Sequence, residues 1–498
     1  MEFDEALSRF KAMNRQLGAY RHALGALNYD AMTAAPKNSA KGRAETCAIL
    51  SGGAHKLMTS PEYAEAVSAL LSREGELDGL TKLEAKEAFR RSERLRRIPA
   101  DVLSEHNLIT GRASAAWREA KNADDFGIFE PYLGRVFESA ARIARIAAPG
   151  KDPYDYWLDE NEEGSSQRAL DGFFAGVKGK VAPLIRSIAA RPKPETGFLS
   201  GFFPIAEQRR FSEDLMRIMG IDRDRCTIAE VEHPYTTALN NRDVRITTHY
   251  FEDRVTANMF SVLHEGGHAI YEMGISDELM GSPLAAPASA GMHEAQSRFY
   301  ENIIGRSRAF SELILPVLQA RFPQLSGVTE EEFYRAVNAV EPTLKRTEAD
   351  ELTYCLHIMV RYELEKKLLH GELEAASMPR EWNRLYGEYL GIEPATDREG
   401  CLQDMHWGSG LIGYFSTYAL GNAYGAQLYS AMRRELDVDS LVRGNDIPAV
   451  TAWLNSRIHR FGRTKTPAEL LESAAGRGFE PEYYFGYLKE KYSELYEL

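Results

Sequence analysis

The chain has 498 residues, of which 44% are hydrophobic and 27% are charged, and its formal net charge is −13. This composition is typical of a globular protein with a large apolar core and excludes an intrinsically disordered chain. Because an acidic chain repels phosphate backbones, we expect no nucleic-acid partner.

The cysteines stand far apart in the sequence, at Cys47, Cys226, Cys355 and Cys401. None belongs to a Cys-x-x-Cys pair, which argues against a cysteine metal site. So few cysteines in a long chain indicate free thiols in a reducing compartment. Residues 1–5 (MEFDE) lack the basic segment and apolar run of a signal peptide, so we expect a cytoplasmic protein.

The N-terminal third of the sequence has the pattern of successive helices. Over residues 1–150, apolar residues recur at three- and four-residue spacing between charged faces. One such helix is predicted from Leu83 to Arg97, ending before Pro99. Clusters of proline and glycine predict breaks at residues 149–153 and 192–204.

Between Cys226 and Tyr250 the pattern changes from helical to extended. Residues 227–231 (TIAEV) and 244–248 (VRITT) are rich in β-branched side chains, and Asn240-Asn241 supplies turn material between them. These features predict a small antiparallel sheet in a mainly α protein.

The following helix contains the segment His264-Glu265-Gly266-Gly267-His268. Residues four apart lie on one helical face, so both imidazoles can bind one metal ion while Glu265 reaches a water beside it. Each glycine costs about 1 kcal/mol relative to alanine in a helix interior, so another segment is expected to approach closely here. Alone, this short motif also fits a helix with two hydrogen-bonded histidines.

A catalytic zinc site needs three protein ligands and one open position for water. The loop at residues 274–291 lets the chain turn back, and Glu294 then lies near the start of the next helix as candidate third ligand. His293 competes for this role, and Glu294 alone would more often be a solvated glutamate at a helix start. Two histidines and a carboxylate favour Zn²⁺, with Co²⁺ or Mn²⁺ as possible substitutes. Glu265 would be the general base of peptide hydrolysis.

From Trp407 to Met432 no side chain is charged, a length sufficient to span a bilayer. The segment nevertheless contains hydroxyl and amide side chains and several glycines. These residues favour a helix that is buried or lines a cleft over a membrane span.

Several motifs occur in the order and spacing of one known family. They are residues 233–235 (HPY), 243–247 (DVRIT), 264–268 (HEGGH), 293–296 (HEAQ), 346–350 (RTEAD), 400–407 (GCLQDMHW), 458–463 (IHRFGR) and 466–471 (TPAELL). On these motifs the sequence resembles the carboxypeptidase Taq family of metallocarboxypeptidases. The resemblance covers almost the whole chain and is weakest in its N-terminal third.

The resemblance implies a multi-helical, zincin-like metallopeptidase with a deep active-site groove, usually a homodimer. It implies removal of single residues from peptides with a free C-terminus, with broad specificity and with proline disfavoured. We expect one peptidase domain over residues 1–498. Its helical part, residues 1–200, would form one wall of the groove, and residues 201–498 would carry the metal site.

The resemblance also assigns roles to individual residues. It gives His264, His268 and Glu294 as metal ligands and Glu265 as general base. An exopeptidase must bind a free carboxylate, and the fork of donors on arginine does this best. Arg346 resembles the family's carboxylate anchor.

The alternative for Arg346 is an ion pair with Glu348, Asp350 or Glu351 on a solvated helix face. Arg245, beside Asp243, is a second candidate that is more typical of a structural residue.

Other candidates are donors and groove-lining residues. His406 and Tyr418 can donate hydrogen bonds to the developing oxyanion or to the substrate backbone, and Tyr414 and His233 are expected to contact substrate. The alternative for both tyrosines is burial with one hydrogen bond each. The alternative for His233 is an ordinary turn histidine before Pro234.

The sequence departs from the family pattern at three positions. Lys345 stands before Arg346, where an apolar residue is usual, and can change the charge of the pocket. Tyr235 replaces a phenylalanine, and Tyr29 stands where tryptophan is expected.

Two other functions remain open. A related helical metallopeptidase can release dipeptides or cut internally as an oligopeptidase, and the zinc motif does not separate these modes. They differ in the distance between the carboxylate anchor and the metal. A non-catalytic, zinc-stapled peptide-binding scaffold would keep the metal ligands but would not need Glu265.

Overall fold

The computed structural model describes residues 2–498 and is mainly α-helical, as predicted. Met1, the first residue of the segment that lacks signal-peptide features, lies outside the described residues. The helices are α1 (Phe3–Thr33), α2 (Ala40–Met58), α3 (Pro61–Leu71), α4 (Gly79–Arg97), α5 (Ala100–Ala123), α6 (Glu130–Ala147), α7 (Pro153–Asn161), α8 (Gln167–Gly176), α9 (Ala182–Ala189), α10 (Ile205–Ile218), α11 (Val255–Gly274), α12 (Ala290–Arg298), α13 (Arg308–Arg321), α14 (Glu330–Val337), α15 (Tyr354–His370), α16 (Met378–Leu390), α17 (Phe415–Met432), α18 (Val438–Arg443), α19 (Ile447–Arg457), α20 (Pro467–Ala475) and α21 (Glu482–Tyr496). The strands are β1 (Cys226–Glu230), β2 (Thr236–Asn240) and β3 (Asp243–Thr248).

The helix predicted from Leu83 to Arg97 is α4, which begins four residues earlier, at Gly79. The side chain of Asp78 accepts hydrogen bonds from the first free N–H groups of the helix, and this cap sets its start. Arginines in the last turn interact favourably with the C-terminal end of the helix dipole.

The small sheet is present, but it is mixed rather than antiparallel. Its strand order is β1–β3–β2, and β1 pairs in parallel with β3, Cys226 lying opposite Val244. The predicted antiparallel pairing of these two segments is corrected because the asparagine turn joins β2, not β1, to β3. The strand β2 thus takes the hairpin position beside β3, and the chain crosses from β1 to reach it.

Most buried apolar side chains form one continuous core that extends from α5 to α21. A smaller core joins α1, α3 and α4 through residues such as Phe10, Tyr63 and Leu70. The uncharged segment begins in a loop and continues from Phe415 to Met432 as α17, whose residues are mostly buried in the main core, as predicted for a buried helix. Among residues 2–498, no helix has the length and apolar character needed to cross a membrane.

Glu162, directly after α7, joins the N-terminal helices to the start of α12. The Ser289 hydroxyl donates to Oε1 of Glu162 at 2.8 Å, and the Gly291 N–H donates to Oε2 at 2.7 Å. Ser289 also caps α12, accepting from the Met292 N–H. Burial raises the pKa of the Glu162 carboxyl to about 7. The N-terminal part of the chain therefore fixes where α12 begins.

Candidate metal centre and active site

Two imidazoles from α11 and one carboxylate from α12 converge on one point. Oε2 of Glu294 lies 3.8 Å from Nε2 of His264 and 3.6 Å from Nε2 of His268. All three ligand atoms lie within 4.8 Å of one another. Two ligands of a tetrahedral zinc ion, each about 2.0–2.1 Å from the metal, are separated by roughly 3.4 Å. The structure therefore brings the three predicted ligands together in an arrangement that fits a divalent cation.

Glycines permit the close packing that creates this arrangement. A Cβ on Gly267 would lie 2.6 Å from the carbonyl oxygen of Gln296 and 2.8 Å from Cα of Ser297, both in α12. A Cβ on Gly421 of α17 would lie 2.6 Å from Cγ of Glu294. The close approach predicted from the two glycines of α11 is confirmed, and it is what presses Glu294 against the histidine pair.

A second carboxylate and an arginine support the ligands. Nδ1 of His264 lies 2.7 Å from Oε2 of Glu301, and Arg298 donates to Glu294 at 2.7 Å and to Glu301 at 3.2 Å. Burial opposes ionisation, but Arg298 and His264 hold the pKa of Glu294 well below its usual value. The same two residues lower the pKa of Glu301 to about 2, despite its burial.

Neither Arg298 nor Glu301 was singled out from the sequence. With Glu294 they occupy positions i, i+4 and i+7, a spacing that places all three side chains on one helical face. This spacing is the feature of the sequence from which the two partners of Glu294 could have been predicted. A short π-helical segment, Phe299–Ile304, carries Glu301 directly after α12.

His293, the competitor for the third ligand position, lies outside the ligand set. Its Nε2 lies 3.4 Å from Oε1 of Glu272, and its ring packs on the His268 ring with centroids 4.0 Å apart. Burial lowers the pKa of His293 well below the ordinary value. The geometry thus favours Glu294 over His293 as third ligand.

Glu265 lies beside the ligands on α11 and contacts the sheet. The Thr236 hydroxyl, on β2, donates to Oε2 of Glu265 at 2.6 Å. The same hydroxyl lies 3.1 Å from the Glu265 carbonyl oxygen. One carboxylate oxygen is therefore held by the edge strand of the sheet, while Oε1 remains to accept a proton.

Arg346 is buried at the start of the short helical turn Arg346–Glu348. Its Nη2 donates to Oδ1 of Asp404 at 2.9 Å, and its Nη1 donates to the Tyr354 hydroxyl at 2.9 Å. The guanidinium of Arg298 lies over the Tyr354 ring, 4.1 Å from its centroid. Tyr354 thus lies between the candidate carboxylate anchor and the arginine that binds Glu294.

The three acidic residues that were alternative ion-pair partners of Arg346 have other partners in the structure, and Arg346 pairs with Asp404 instead. Glu348 pairs with the exposed Lys345 at 3.4 Å, and Glu351 pairs with Lys491 at 2.7 Å. Asp350 accepts hydrogen bonds from the backbone just before α15. The charge of Lys345 is therefore directed to the surface and to Glu348.

The predicted hydrogen-bond donors lie against Arg346. Nε2 of His406 is 3.1 Å from the Tyr418 hydroxyl, and the Tyr418 ring centroid is 4.8 Å from Cζ of Arg346. The Tyr414 and Tyr418 rings meet edge to face, 5.4 Å apart. Burial lowers the pKa of His406 to about 4, and burial with the charge of Glu294 raises that of Tyr414 to about 12. The imidazole is thus uncharged and the phenol protonated at neutral pH.

His233 differs from the other candidates because its side chain is exposed in the loop between β1 and β2. It precedes Thr236, the partner of Glu265, by three residues. Arg245 is engaged by Asp243 through two hydrogen bonds, of 2.8 and 2.9 Å, which leaves it a structural residue of the sheet. The two aromatic departures, Tyr29 and Tyr235, pack against each other with centroids 6.4 Å apart.

Comparison with known proteins gives matches over nearly the whole chain. A family model described as carboxypeptidase Taq (M32) metallopeptidase matches residues 9–492. Carboxypeptidase 1 of Bacillus subtilis is 37% identical over all of both chains. Thermostable carboxypeptidase 1 of Thermus thermophilus is 38% identical over 96% of each.

Solved structures agree with these relatives. The M32 carboxypeptidase from Deinococcus radiodurans superposes with a TM-score of 0.96 at 36% identity, covering 99% of this chain and 100% of that one. A Pyrococcus furiosus carboxypeptidase structure, titled Apo-Mg, gives a TM-score of 0.95 at 35% identity, with 98% and 99% covered.

Proposed function

The chain belongs to the carboxypeptidase Taq (M32) family of metallopeptidases, and we propose that a Zn²⁺ ion held by His264, His268 and Glu294 serves its reaction. It is a metallocarboxypeptidase that releases single residues from the C-termini of peptides, and the resemblance drawn from the motifs is confirmed. The family favours this function over dipeptide release, oligopeptidase activity and a catalytically inert scaffold. The observation that carries the metal proposal is the convergence of two Nε2 atoms and one carboxylate oxygen.

Zinc is proposed over other cations because two imidazole nitrogens and one carboxylate form a common catalytic zinc set. Co²⁺ and Mn²⁺ are possible substitutes in the same ligand set. When bound, the cation would polarise the scissile carbonyl and activate the attacking water.

Glu265 is proposed as the general base. Its carboxylate takes a proton from the attacking water and passes it to the leaving amine. The hydrogen bond from Thr236 supports this role because it fixes the carboxylate while leaving Oε1 available.

His406 and Tyr418 are proposed to stabilise together the oxygen on which negative charge develops: Nε2–H of His406 donates to the Tyr418 oxygen, and the Tyr418 hydroxyl donates to the substrate oxygen. Their mutual hydrogen bond and burial hold them in position before substrate arrives, which is what makes such donors effective. Because burial raises the pKa of Tyr418 well above its usual value, its hydroxyl keeps its proton throughout the neutral range.

Arg346 is proposed to bind the terminal carboxylate of the substrate, one residue from the scissile bond. Its burial against Tyr418 and its link through Tyr354 and Arg298 to Glu294 support a position near the metal site. Tyr414 and His233 are proposed to contact the substrate along the groove.

We further propose that the chain is one peptidase domain in which residues 1–200 form one wall of a deep groove. The Tyr29 ring of α1 packs against the Tyr235 ring beside β2, with centroids 6.4 Å apart, and this contact between the N-terminal part and the sheet supports the arrangement. Family likeness is the basis for proposing a homodimer, which light scattering would test. The free thiols at Cys226, Cys355 and Cys401, each buried, support a reducing cytoplasmic location.

The replacement Glu265→Gln tests the function with an N-blocked tripeptide. We expect release of the terminal amino acid to fall by about 10²–10⁴-fold, because the base is lost while the metal ligands remain. Zinc content, measured by elemental analysis, should stay unchanged, and the surface replacement Glu278→Gln serves as control. Release of an intact dipeptide, or full activity in Glu265→Gln, would overturn the proposal.

A further inference from the structure

Arg361, on α15, is enclosed completely, with 0% of its side chain exposed. Its Nε donates to Oδ2 of Asp404 at 2.7 Å, and its Nη2 donates to Oε1 of Gln403 at 3.1 Å. Its Nη1 donates to the His357 carbonyl at 2.8 Å and lies 3.4 Å from the Tyr386 hydroxyl. With every nitrogen engaged and no exposed surface, Arg361 cannot touch a substrate. Its contribution to the site is the positive charge that it places beside Asp404.

Arg346 binds the other oxygen of the same carboxylate but keeps donors free. A guanidinium carries five N–H bonds. Arg346 uses Nε and Nη2 toward Oδ1 of Asp404, at 3.3 and 2.9 Å, and Nη1 toward Tyr354. The remaining two N–H bonds, one on Nη1 and one on Nη2, have no acceptor within residues 2–498. Two adjacent donors of this kind can receive a carboxylate.

The charges of this cluster do not cancel. Arg346 and Arg361 contribute two positive charges, Asp404 contributes one negative charge, and the net charge is +1. His406, whose Nδ1 lies 3.8 Å from Asp404, is uncharged at neutral pH because burial lowers its pKa to about 4. Lys345 and Glu348 pair with each other at the surface. A buried cluster with one excess positive charge is stabilised by an entering anion.

We propose that Arg361 is a positioning residue that engages Asp404 so that Arg346 keeps an unneutralised charge, which makes the site selective for peptides with a free terminal carboxylate. The inference rests on the proposed function, which assigns Arg346 as the anchor. Without Arg361, Asp404 would neutralise Arg346 alone, and a substrate carboxylate would enter beside an uncompensated negative charge. With Arg361, the entering carboxylate completes a set of two cations and two anions.

The replacement Arg361→Met removes the charge and keeps an unbranched side chain. With an N-blocked dipeptide, we expect KM to rise roughly tenfold or more, the effect of one unit charge several ångströms away at an effective dielectric constant of about 20. The turnover number should change less than KM, and the preference for the free acid over the C-terminal amide should fall. An unchanged KM and preference would overturn the proposal.

A double replacement separates charge from structure. Arg361→Met with Asp404→Asn restores a net charge of +1, now on Arg346 alone, so KM should return toward the value of the unaltered protein. A purely structural role predicts a KM at least as high as in the single variant, which would overturn the charge explanation. If Arg361→Met does not fold, Arg361→Lys and Arg361→Gln test the same point. A lower KM for lysine supports the proposal, and equal values overturn it.

The variant Arg346→Met, measured in the same assay, distinguishes the inference from the function on which it rests. A raised KM in Arg346→Met together with an unchanged KM in Arg361→Met would leave the anchor in place and overturn the role of Arg361 alone. If neither variant changes KM, the assignment of Arg346 as anchor fails as well. Zinc content and thermal unfolding of each variant show whether the folded metal site is retained.

Discussion

At the residue scale, the hydrogen bond between His264 and Glu301 sets the tautomer of a proposed metal ligand. Because an ionised carboxylate can only accept, Nδ1 of His264 must carry the proton and Nε2 presents its lone pair to the metal. Glu301 also shares Arg298 with Glu294, so it orients the carboxylate ligand indirectly. Such partners of ligands commonly tune metal affinity.

The replacement Glu301→Gln should weaken zinc binding by about 10–100-fold, the usual effect of losing a carboxylate that orients a ligating histidine. Competition with a chromophoric chelator measures this affinity directly. Glu312→Gln is a matched control, because Glu312 pairs with Arg443 on the surface. Equal affinities in the two variants would exclude an orienting role for Glu301.

His406 offers a prediction about pH dependence. Because burial lowers its pKa to about 4, the imidazole is uncharged above roughly pH 5 and its ionisation cannot produce a transition near pH 6–7. In His406→Gln we expect kcat to fall by about 10²–10³-fold, the effect of losing one preorganised donor. The acid limb of the pH profile should keep its midpoint, and a shift of that midpoint would contradict the assignment.

The spacing of side chains predicted much of the candidate site, because His264, His268 and Glu294 lie on faces that a helix–loop–helix segment can bring together. The partners Asp404 and Arg361 could not be paired in this way. They lie 43 residues apart, on a loop and on α15, and nothing local in either segment specifies the other. Arg361 also falls outside every motif, although it completes the charge of the Arg346 pocket.

At the element scale, α12 is packed between α11 and α17 through glycines. In Gly267→Ala, the added Cβ would meet the backbone of Gln296 and Ser297 at 2.6 and 2.8 Å, so α12 must move away from the histidines. We expect a loss of stability of about 1–3 kcal/mol, typical of overpacking, together with weaker zinc binding.

The control for this variant is Gly172→Ala in α8, where an added Cβ meets nothing within 4 Å. Alanine in an exposed helical position should be neutral or stabilising by up to about 1 kcal/mol. Chemical denaturation of both variants, with and without zinc, measures these changes. A Gly267→Ala protein as stable as the control would show that α12 can relax without affecting the ligands.

Most helices and two strands of the sheet, β1 and β3, were predictable because their periodicity and composition are local properties of the chain. The parallel pairing of β1 with β3 was not, since strand composition is the same for either direction. It depends on β2, whose position after Pro234 and before the asparagine turn makes it the hairpin partner of β3. Whether two strands of a short sheet pair in parallel or antiparallel is thus decided by the loops that connect the strands.

At the scale of the whole molecule, the proposed metal ligands come from two helices, α11 and α12, that are separated by a loop. Zinc bound to the folded state alone stabilises it by about 2.7 kcal/mol when its free concentration is one hundred times Kd. We therefore expect chelation to lower Tm by several degrees and added Zn²⁺ to restore it, as measured by calorimetry. Mg²⁺, which prefers oxygen ligands in octahedral geometry, should not restore it. An unchanged Tm after verified removal of the metal would contradict this coupling.

The contact of Glu162 with Ser289 and Gly291 limits how this enzyme can be dissected. A fragment comprising residues 201–498 would contain every proposed ligand and the base, yet the first turn of α12 would lose the acceptor of its buried hydroxyl and amide donors. Such a fragment should not assemble the zinc centre by itself, whereas adding residues 2–200 as a separate polypeptide should restore it. The active enzyme would then form only when the two fragments associate, because the Glu162 carboxylate of one fragment accepts the hydrogen bonds at the start of α12 in the other.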